Sequence, residues 1–415
     1  MHSLYNIGIQ LYSFGVKAAA FFGNEKAKLW VDGRKNWREQ LQHWRSEQSG
    51  EVVWIHAASL GEFEQGRPVI EAIKQRYPKV KVLLTFFSPS GYEIRKNYNG
   101  ADLIMYLPAD TPSNARDFCK LVAPTLTIFV KYEYWANYFF EIKKSPSKLW
   151  VISGIFREQQ RFFGSQKSFW STVLNQVDHY FLQNNTSLEL LRKVSDAPAL
   201  VCGDTRYDRV EAIASDKKDI VVVSQFAGNK KKIIVGGSTY TAEEGILKNL
   251  LVDHQDLGVI LAPHEINEER IQAIEKLFGK KCIRYSQWNQ ASEARCLIID
   301  NMGILSQLYR YGNLALIGGG FGKGLHNILE ATVYGLPVFF GPNYQKFQEA
   351  QEVIACGGGE SSASELGLQK VISSVLLDEK KREMMSISAR EMVENNLGAV
   401  DVIMKTIEDQ WVLEE

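Results

Sequence analysis

At 415 residues the chain is longer than one ordinary core can fill, so two domains of about 200 residues each are expected. An apolar share of 45%, a charged share of 23% and a formal net charge of zero describe a soluble globular protein and give no support to a nucleic-acid partner. Cys119, Cys202, Cys282, Cys296 and Cys356 are scattered and odd in number and have no C-x-x-C spacing, which argues for a reducing compartment and against a structural zinc. The seven histidines show no metal-ligand spacing either.

The first segment has its own pattern. Leu4, Ile7, Leu11, Phe14, Ala18, Phe21 and Phe22 recur at helical steps, while Asn6, Gln10, Ser13 and Lys17 recur on another face, so an amphipathic helix is expected. The apolar run is too interrupted for a transmembrane span. Lys17 inside it, with no basic n-region before it, argues against a cleaved signal peptide. Lys26, Lys28, Arg34, Lys35 and Arg38 follow, a cationic cluster suited to anionic headgroups. Attachment to a membrane surface and packing on the protein's own core both fit this pattern.

Strands then alternate with helical spacing. Glu51–Ile55, Lys81–Phe87, Leu126–Val130, Leu149–Ser153 and Tyr180–Leu182 read as buried strands, and the rhythm resumes at Lys232–Val235, Gly258–Leu261, Leu297–Ile299 and Leu314–Ile317. Such alternation means a parallel sheet wrapped by helices, here twice over. A glycine and an apolar-poor stretch place the boundary near Asp204–Lys218. The expected division is 1–30, an amphipathic membrane-associating segment; 31–205, a first Rossmann-like domain; 206–395, a second Rossmann-like domain; and 396–415, a C-terminal helix crossing back to the first domain. Two doubly wound domains facing across a cleft hold ligands at the carboxyl ends of their strands.

The most distinctive stretch is Leu314 to Pro342. A strand stops at Gly318–Gly320, two more glycines follow at Gly322 and Gly324, and a helix is expected from His326-Asn327 to just before Gly335. Strand, glycine loop and helix N-terminus offer backbone N–H groups to a phosphate, and the glycines admit close approach of a ligand. Glu330, one turn after Asn327, suits a ribose diol.

Other strand ends carry chemistry too. Glu62, in Ser59-Leu60-Gly61-Glu62, is placed to act as a general base, a role worth about 10²–10⁴-fold in rate, or to complement a helix dipole. Glu64, two residues further on, points elsewhere. Lys131, beside Glu133 and Trp135, is suited to stabilising developing negative charge, or to pairing with Glu133. The Arg206 guanidinium suits a phosphate or carboxylate. Pro263-His264 and Asp300-Asn301-Met302-Gly303 end strands of the second half. No Walker A motif, no G-x-S-x-G with triad partners and no acidic metal pair occur.

Five of these motifs come in one family's order and spacing: HAASLGE at 56–62, GDTRYD at 203–208, APHE at 262–265, DNMG at 300–303 and GGGFGKGLHNILEA at 318–331. Together they resemble the 3-deoxy-D-manno-octulosonic acid (Kdo) transferases of lipopolysaccharide core biosynthesis, over most of the chain. The resemblance implies a glycosyltransferase-B type α/β fold of two Rossmann-like domains. It implies transfer of Kdo from CMP-Kdo to a lipid A precursor with inversion, using no metal and no cofactor, on the cytoplasmic face of the bacterial inner membrane. By position Glu62 matches the family's base. Arg206 falls where the family usually has a lysine that stabilises the transition state. Lys131 falls where many members have a glutamate; the run Met-Glu-Thr-Glu-Leu-Trp reads VKYEYW here. CMP contacts map to Pro263, His264, Met302, Gly303, Ile304, Asn327, Ile328, Leu329 and Glu330, with His264 standing where arginine is frequent and Ile304 where an acidic residue is. The acceptor's phosphates are expected to meet Arg34, Lys35 or Arg38. The rivals are another glycosyltransferase-B enzyme or an epimerase using a UDP-sugar, and a peripheral membrane protein that binds nucleotide-sugars without catalysis.

Overall fold

The computed structural model describes residues 1–228, 230–289, 293–322 and 324–410. Lys323 of the glycine-rich motif and residues 411–415 of the C-terminal stretch lie outside them. The chain divides into two units, Met1–Asp208 with the residues from Gly398 onward, and Arg209–Leu397.

In the first unit, β1 (Val52–Ala57), β2 (Lys81–Phe86), β3 (Leu103–Tyr106), β4 (Leu126–Val130), β5 (Lys148–Gly154), β6 (His179–Leu182) and β7 (Ala199–Val201) form one sheet. Its order is β3-β2-β1-β4-β5-β6-β7, with every pair parallel. Every residue of β1 and β4 is buried, because helices cover both faces of a parallel sheet. On one face Trp54 packs against Phe118 at 4.9 Å and Phe129 at 5.4 Å between ring centres. On the other, Ile55, Val69, Ile70 and Phe86 pack with Ile403 and Ile407. Those last two belong to the helix Ala399–Gln410, which lies against the helix Leu60–Arg76. The Asp208 carboxylate fixes its start by accepting the N–H groups of Gly398 at 2.7 Å and Val400 at 3.1 Å, which would otherwise be orphan donors.

In the second unit, β8 (Lys232–Thr239), β9 (Leu257–Pro263), β10 (Cys282–Arg284), β11 (Cys296–Ile298), β12 (Leu314–Ile317), β13 (Val338–Phe340) and β14 (Gly359–Ser361) form the sheet β10-β11-β9-β8-β12-β13-β14. All its pairs are parallel as well. Each sheet changes its direction of growth once, at β1/β4 in the first unit and at β8/β12 in the second. Loops diverge at the carboxyl ends there, the usual place for a ligand in open α/β sheets.

The helix His2–Phe21 contains no buried residue, and it is turned inside out relative to an ordinary surface helix. Its polar face holds the protein: His2 bonds Asn137 at 2.8 Å, Tyr5 donates to Asp110, and Asn6 accepts from Asn137 at 2.9 Å. Its apolar face, with Leu11 66%, Phe14 72% and Phe21 85% exposed, is left to solvent. The pattern left this face open either to the protein's own core or to a membrane surface, and in the structure it does not pack on the core. No helix among the described residues is long and apolar enough to cross a membrane.

Ile403 is fully buried in the first unit's core. Ile403→Ala is expected to lower the unfolding free energy by about 2–5 kcal/mol, read from the denaturant midpoint. A midpoint equal to wild type would mean that the C-terminal helix contributes nothing to this core.

Candidate functional site

The first unit gathers its charged groups at the β1/β4 switch. Glu62 lies in the first turn of the helix Leu60–Arg76, nine-tenths buried, and one carboxylate oxygen accepts the Ala58 N–H at 2.5 Å. That bond closes the turn leaving β1 and aims the carboxylate back at the strand ends. Glu133 arrives from the end of β4; its carboxylate accepts from Trp135 Nε1 at 2.9 Å and faces His56 Nε2 at 3.8 Å. Burial, then the Glu133 charge, push the Glu62 carboxyl well above the usual carboxylate range, with the Ala58 N–H and Lys131 opposing. Burial raises Glu133 also, opposed by Trp135 and Arg161. Two neighbouring carboxylates in a desolvated corner cannot both ionise freely.

His56 underlies this corner. It is wholly buried, and burial lowers its pKa to about 3, so it is neutral and makes no ion pair with Glu133. Its Nδ1 is 2.9 Å from Thr85 Oγ1, which accepts from Trp54 Nε1 at 2.8 Å. Nothing in HAASLGE distinguishes His56 from a structural residue, whereas Glu133 stands in VKYEYW where the run Met-Glu-Thr-Glu-Leu-Trp also has a glutamate; their meeting comes from burial and the pairing of β1 with β4.

Lys131 ends β4 with φ +71°, a backbone region uncommon for a side-chain-bearing residue. Its charge acts on both Glu62 and Asp204. Arg206 grips Asp204 through Nε at 3.0 Å and Nη2 at 2.8 Å. Burial opposes ionisation of Asp204, yet the Arg206 guanidinium holds its carboxyl below the usual range. Gln65, on the same helix as Glu62, donates to Asp204 at 2.9 Å, so the start of the helix Thr205–Ser215, which bears Arg206, is tied to the helix bearing Glu62. Glu64 is paired with Arg95 at 2.8 Å. A cavity of about 550 Å³ opens beside Glu133, lined among others by Tyr5, Tyr12, Phe87, Arg161 and Trp170.

Within the basic cluster after the first helix, Arg34 is not a free anion site. The Arg34 guanidinium donates to the carbonyls of Leu107, Trp30 and Phe87 at 2.8–2.9 Å and lies 3.9 Å over the Trp30 ring. It is a structural tie, so the expectation that Arg34 meets an acceptor phosphate is corrected. Arg38 pairs with Asp117 at 2.8 Å and Lys35 with Asp32 at 2.6 Å.

In the second unit the glycine loop differs from its expected role. The N–H of Gly319 is taken by the buried Glu243 carboxylate at 3.1 Å, and Gly318 N–H bonds Gly237 O at 2.9 Å. A Cβ at Gly318 would strike the Ser238 carbonyl, and one at Gly320 the backbone of Gly341. The glycines thus let chain approach chain, and among Gly318–Gly320 only Gly319, at φ +89°, needs glycine for its conformation. The helix expected from His326-Asn327 is the short Leu329–Thr332, because Asn327 Oδ1 accepts the Leu329 N–H at 3.1 Å and holds the preceding residues in a turn.

The expected nucleotide contacts are distributed unequally. Asn327 and Glu330 do come together, with Nδ2 donating to Oε1 at 3.2 Å. Ile328 and Leu329 are fully buried, which leaves only their main chain for a ligand. Pro263 is buried at the end of β9 while His264 beside it is exposed. Met302 is 83% exposed, Gly303 has φ +93°, and Ile304 is half-buried. Tyr240 and His326, neither of them among the expected contacts, join His264: its ring stacks on Tyr240 at 4.9 Å and lies 4.6 Å from His326. No group of three His, Cys, Asp or Glu side chains suited to a metal occurs among the described residues.

Residues 35–209 match the family model described as 3-deoxy-D-manno-octulosonic-acid transferase (kdotransferase). The 3-deoxy-D-manno-octulosonic acid transferase of Aquifex aeolicus is 26% identical over 347 residues, 80% of this chain and 90% of that one. Among solved structures, a UDP-GlcNAc 2-epimerase from Neisseria meningitidis matches with TM-score 0.61 at 14% identity, over 87% of this chain and 100% of its own. A glycosyltransferase from Rickettsia africae matches with TM-score 0.56 at 11% identity, over 87% and 98%. With two parallel seven-stranded sheets, the fold is of the glycosyltransferase-B type.

Glu62 is expected to titrate above ordinary carboxylates. Replacing Glu133 by Gln removes a like charge and should lower that midpoint, whereas Lys131→Met removes an opposing charge and should raise it. Carboxyl ¹³C chemical shifts against pH read both. A midpoint in the usual carboxylate range, or changes of the opposite sign, would contradict the electrostatics described.

Proposed function

We propose that the chain is a member of the Kdo transferase family, a reading that its similarity to those enzymes supports, and that it moves Kdo from CMP-Kdo to a lipid A precursor with inversion and without a metal. The observation that carries the mechanistic part is Glu62, a buried carboxylate held by the Ala58 N–H at the switch point of the first sheet. A raised pKa makes it a stronger base once ionised. In the reading, Glu62 takes the proton of the acceptor hydroxyl as its oxygen bonds to the anomeric carbon. The bond from that carbon to the phosphate oxygen breaks, and CMP leaves with the electron pair. A single displacement of this kind inverts the anomeric centre.

The charge that develops on the leaving phosphate is proposed to be met by side chains, with Arg206 and Lys131 as the cations. Arg206 is pre-oriented by Asp204, which suits a fixed guanidinium better than the flexible ammonium usual at this position. The nucleotide is proposed to lie on the second unit at Pro263, His264, Met302, Gly303, Ile304, Asn327, Ile328, Leu329 and Glu330. The outward apolar face of His2–Phe21 supports attachment to the cytoplasmic face of the inner membrane, where a lipid acceptor resides. The cavity beside Glu133 is bounded by that same helix, which supports an acceptor entering from the bilayer side.

With CMP-Kdo generated in situ, wild type is expected to transfer Kdo to a lipid A precursor in the presence of EDTA. CMP should inhibit and UDP should not. Glu62→Gln should lose about 10²–10⁴-fold in kcat while CMP binding is kept. A fully active variant would dismiss Glu62 as the base, and inhibition by UDP alone would move the protein to a UDP-sugar enzyme.

Leu11→Asp with Phe14→Asp should abolish co-sedimentation with anionic phospholipid vesicles and leave the fold intact, as both side chains already face solvent. Undiminished sedimentation would remove this helix as the membrane contact.

A further inference from the structure

At the switch point of the second sheet three rings stand together, each from a different loop. Tyr240 follows β8, His264 follows β9 and His326 lies in the loop after β12. Tyr240 stacks on His264 at 4.9 Å and on His326 at 5.8 Å, and the two imidazoles are 4.6 Å apart. The Tyr240 hydroxyl is 3.2 Å from His326 Nε2. The main chain fixes both histidines: His264 N–H donates to Thr239 O at 3.0 Å and His326 N–H to Gly318 O at 3.2 Å. Tyr240 and His264 are exposed and His326 half-buried, so the stack is a formed platform open to a ligand.

The neighbouring glycine loop does not offer all of its amides in the expected way, since Glu243 occupies that of Gly319 at 3.1 Å. The ring stack is a second place at this switch point for a phosphate to rest. We propose that the Tyr240–His264–His326 stack is the phosphate-binding element for the nucleotide donor, and that donor binding takes up a proton onto the imidazole pair. This rests on the donor reading given above. Two imidazolium rings this close repel one another, and an anion seated against both relieves the repulsion. Burial and then His264 lower the His326 pKa in the unliganded protein. The acidic groups facing the stack are Glu243, which accepts the Tyr240 N–H at 3.0 Å, and Glu265, whose charge acts on Tyr240. The imidazoles are the groups whose ordinary titration range spans the pH window of the test.

The sign follows from linkage. A bound anion raises the imidazole pKa above its unliganded value, so binding is strengthened below the bound-state pKa and weakens as pH rises through the histidine range. An anion that raises the pKa of one ring by about 1 binds up to about tenfold more tightly at the lower pH.

The probe is cytidine 5′-(methyl phosphate), a diester whose single charge does not titrate between about pH 5.8 and 8.0, the window that brackets histidine, with cytidine as the uncharged control. Calorimetry on the full chain is expected to show about tenfold tighter binding of the diester at the lower pH, with proton uptake in buffers of differing ionisation enthalpy. Cytidine should show neither. His264→Gln with His326→Gln should flatten the pH dependence. His264→Arg, with a permanent charge, should bind tightly at both pH values. A pH-independent wild type, a slope that survives in the double variant, or the same slope for cytidine would overturn the proposal. Absence of binding of either probe to wild type at both pH values would overturn the donor assignment and this proposal with it.

Discussion

A parallel sheet buried on both faces leaves its chemistry nowhere to go but the strand ends. β1 and β4 have no exposed position, and β9 has none either. A charged side chain within them would carry a desolvation cost of several kcal/mol without return. The loops at the carboxyl ends escape that cost, and they diverge only where the strand order reverses. Both units obey the rule. Glu62, Lys131 and Glu133 stand at the β1/β4 switch, and Tyr240, His264 and His326 stand around β8.

Within that frame, desolvation sets the electrostatics of the Glu62 corner. A carboxylate on a first helical turn is normally an exposed dipole complement of ordinary pKa. Glu62 differs because its buried setting and Glu133 disfavour ionisation, while the Ala58 N–H and Lys131 stop it from becoming permanently neutral. His56, held neutral by its own burial, adds a polar wall to this corner without adding a charge. The left-handed backbone of Lys131 belongs to the same arrangement: strain of this kind persists where surrounding packing dictates the turn.

The sequence made the interior of each sheet readable and the edges invisible. Leu126–Val130 and Leu314–Ile317 are strongly apolar runs, and the structure keeps those limits. The strands that escaped notice, Leu103–Tyr106, Ala199–Val201, Cys282–Arg284 and Gly359–Ser361, are the edge strands of the two sheets. Only partly buried, they need no unbroken apolar pattern. Glu62 was readable because its turn lies in sequence beside its strand. The meeting of Glu133 with His56 was not, since it depends on β1 pairing with β4. Glycines misled for a related reason: a Gly-Gly-Gly run reports that something must come close, and here Ser238 and Gly341 come close.

The N-terminal helix shows the same limit from the other side. Its periodicity was plain in the sequence, but periodicity has no sign: it shows that two faces differ, not which one meets the protein. The sign comes from the docking partners. Asp110 is fully buried and accepts N–H groups from Asn137 at 3.1 Å and Tyr138 at 3.0 Å, and Tyr5 completes its shell. A buried carboxylate in that position needs polar partners, and it draws the polar face of the helix inward. Leu4, Ile7, Leu11 and Phe14 are then left outward as a consequence. An exposed apolar stripe on a helix bound by its polar side is the kind of surface that marks an interaction site, and the membrane attachment proposed above rests on it.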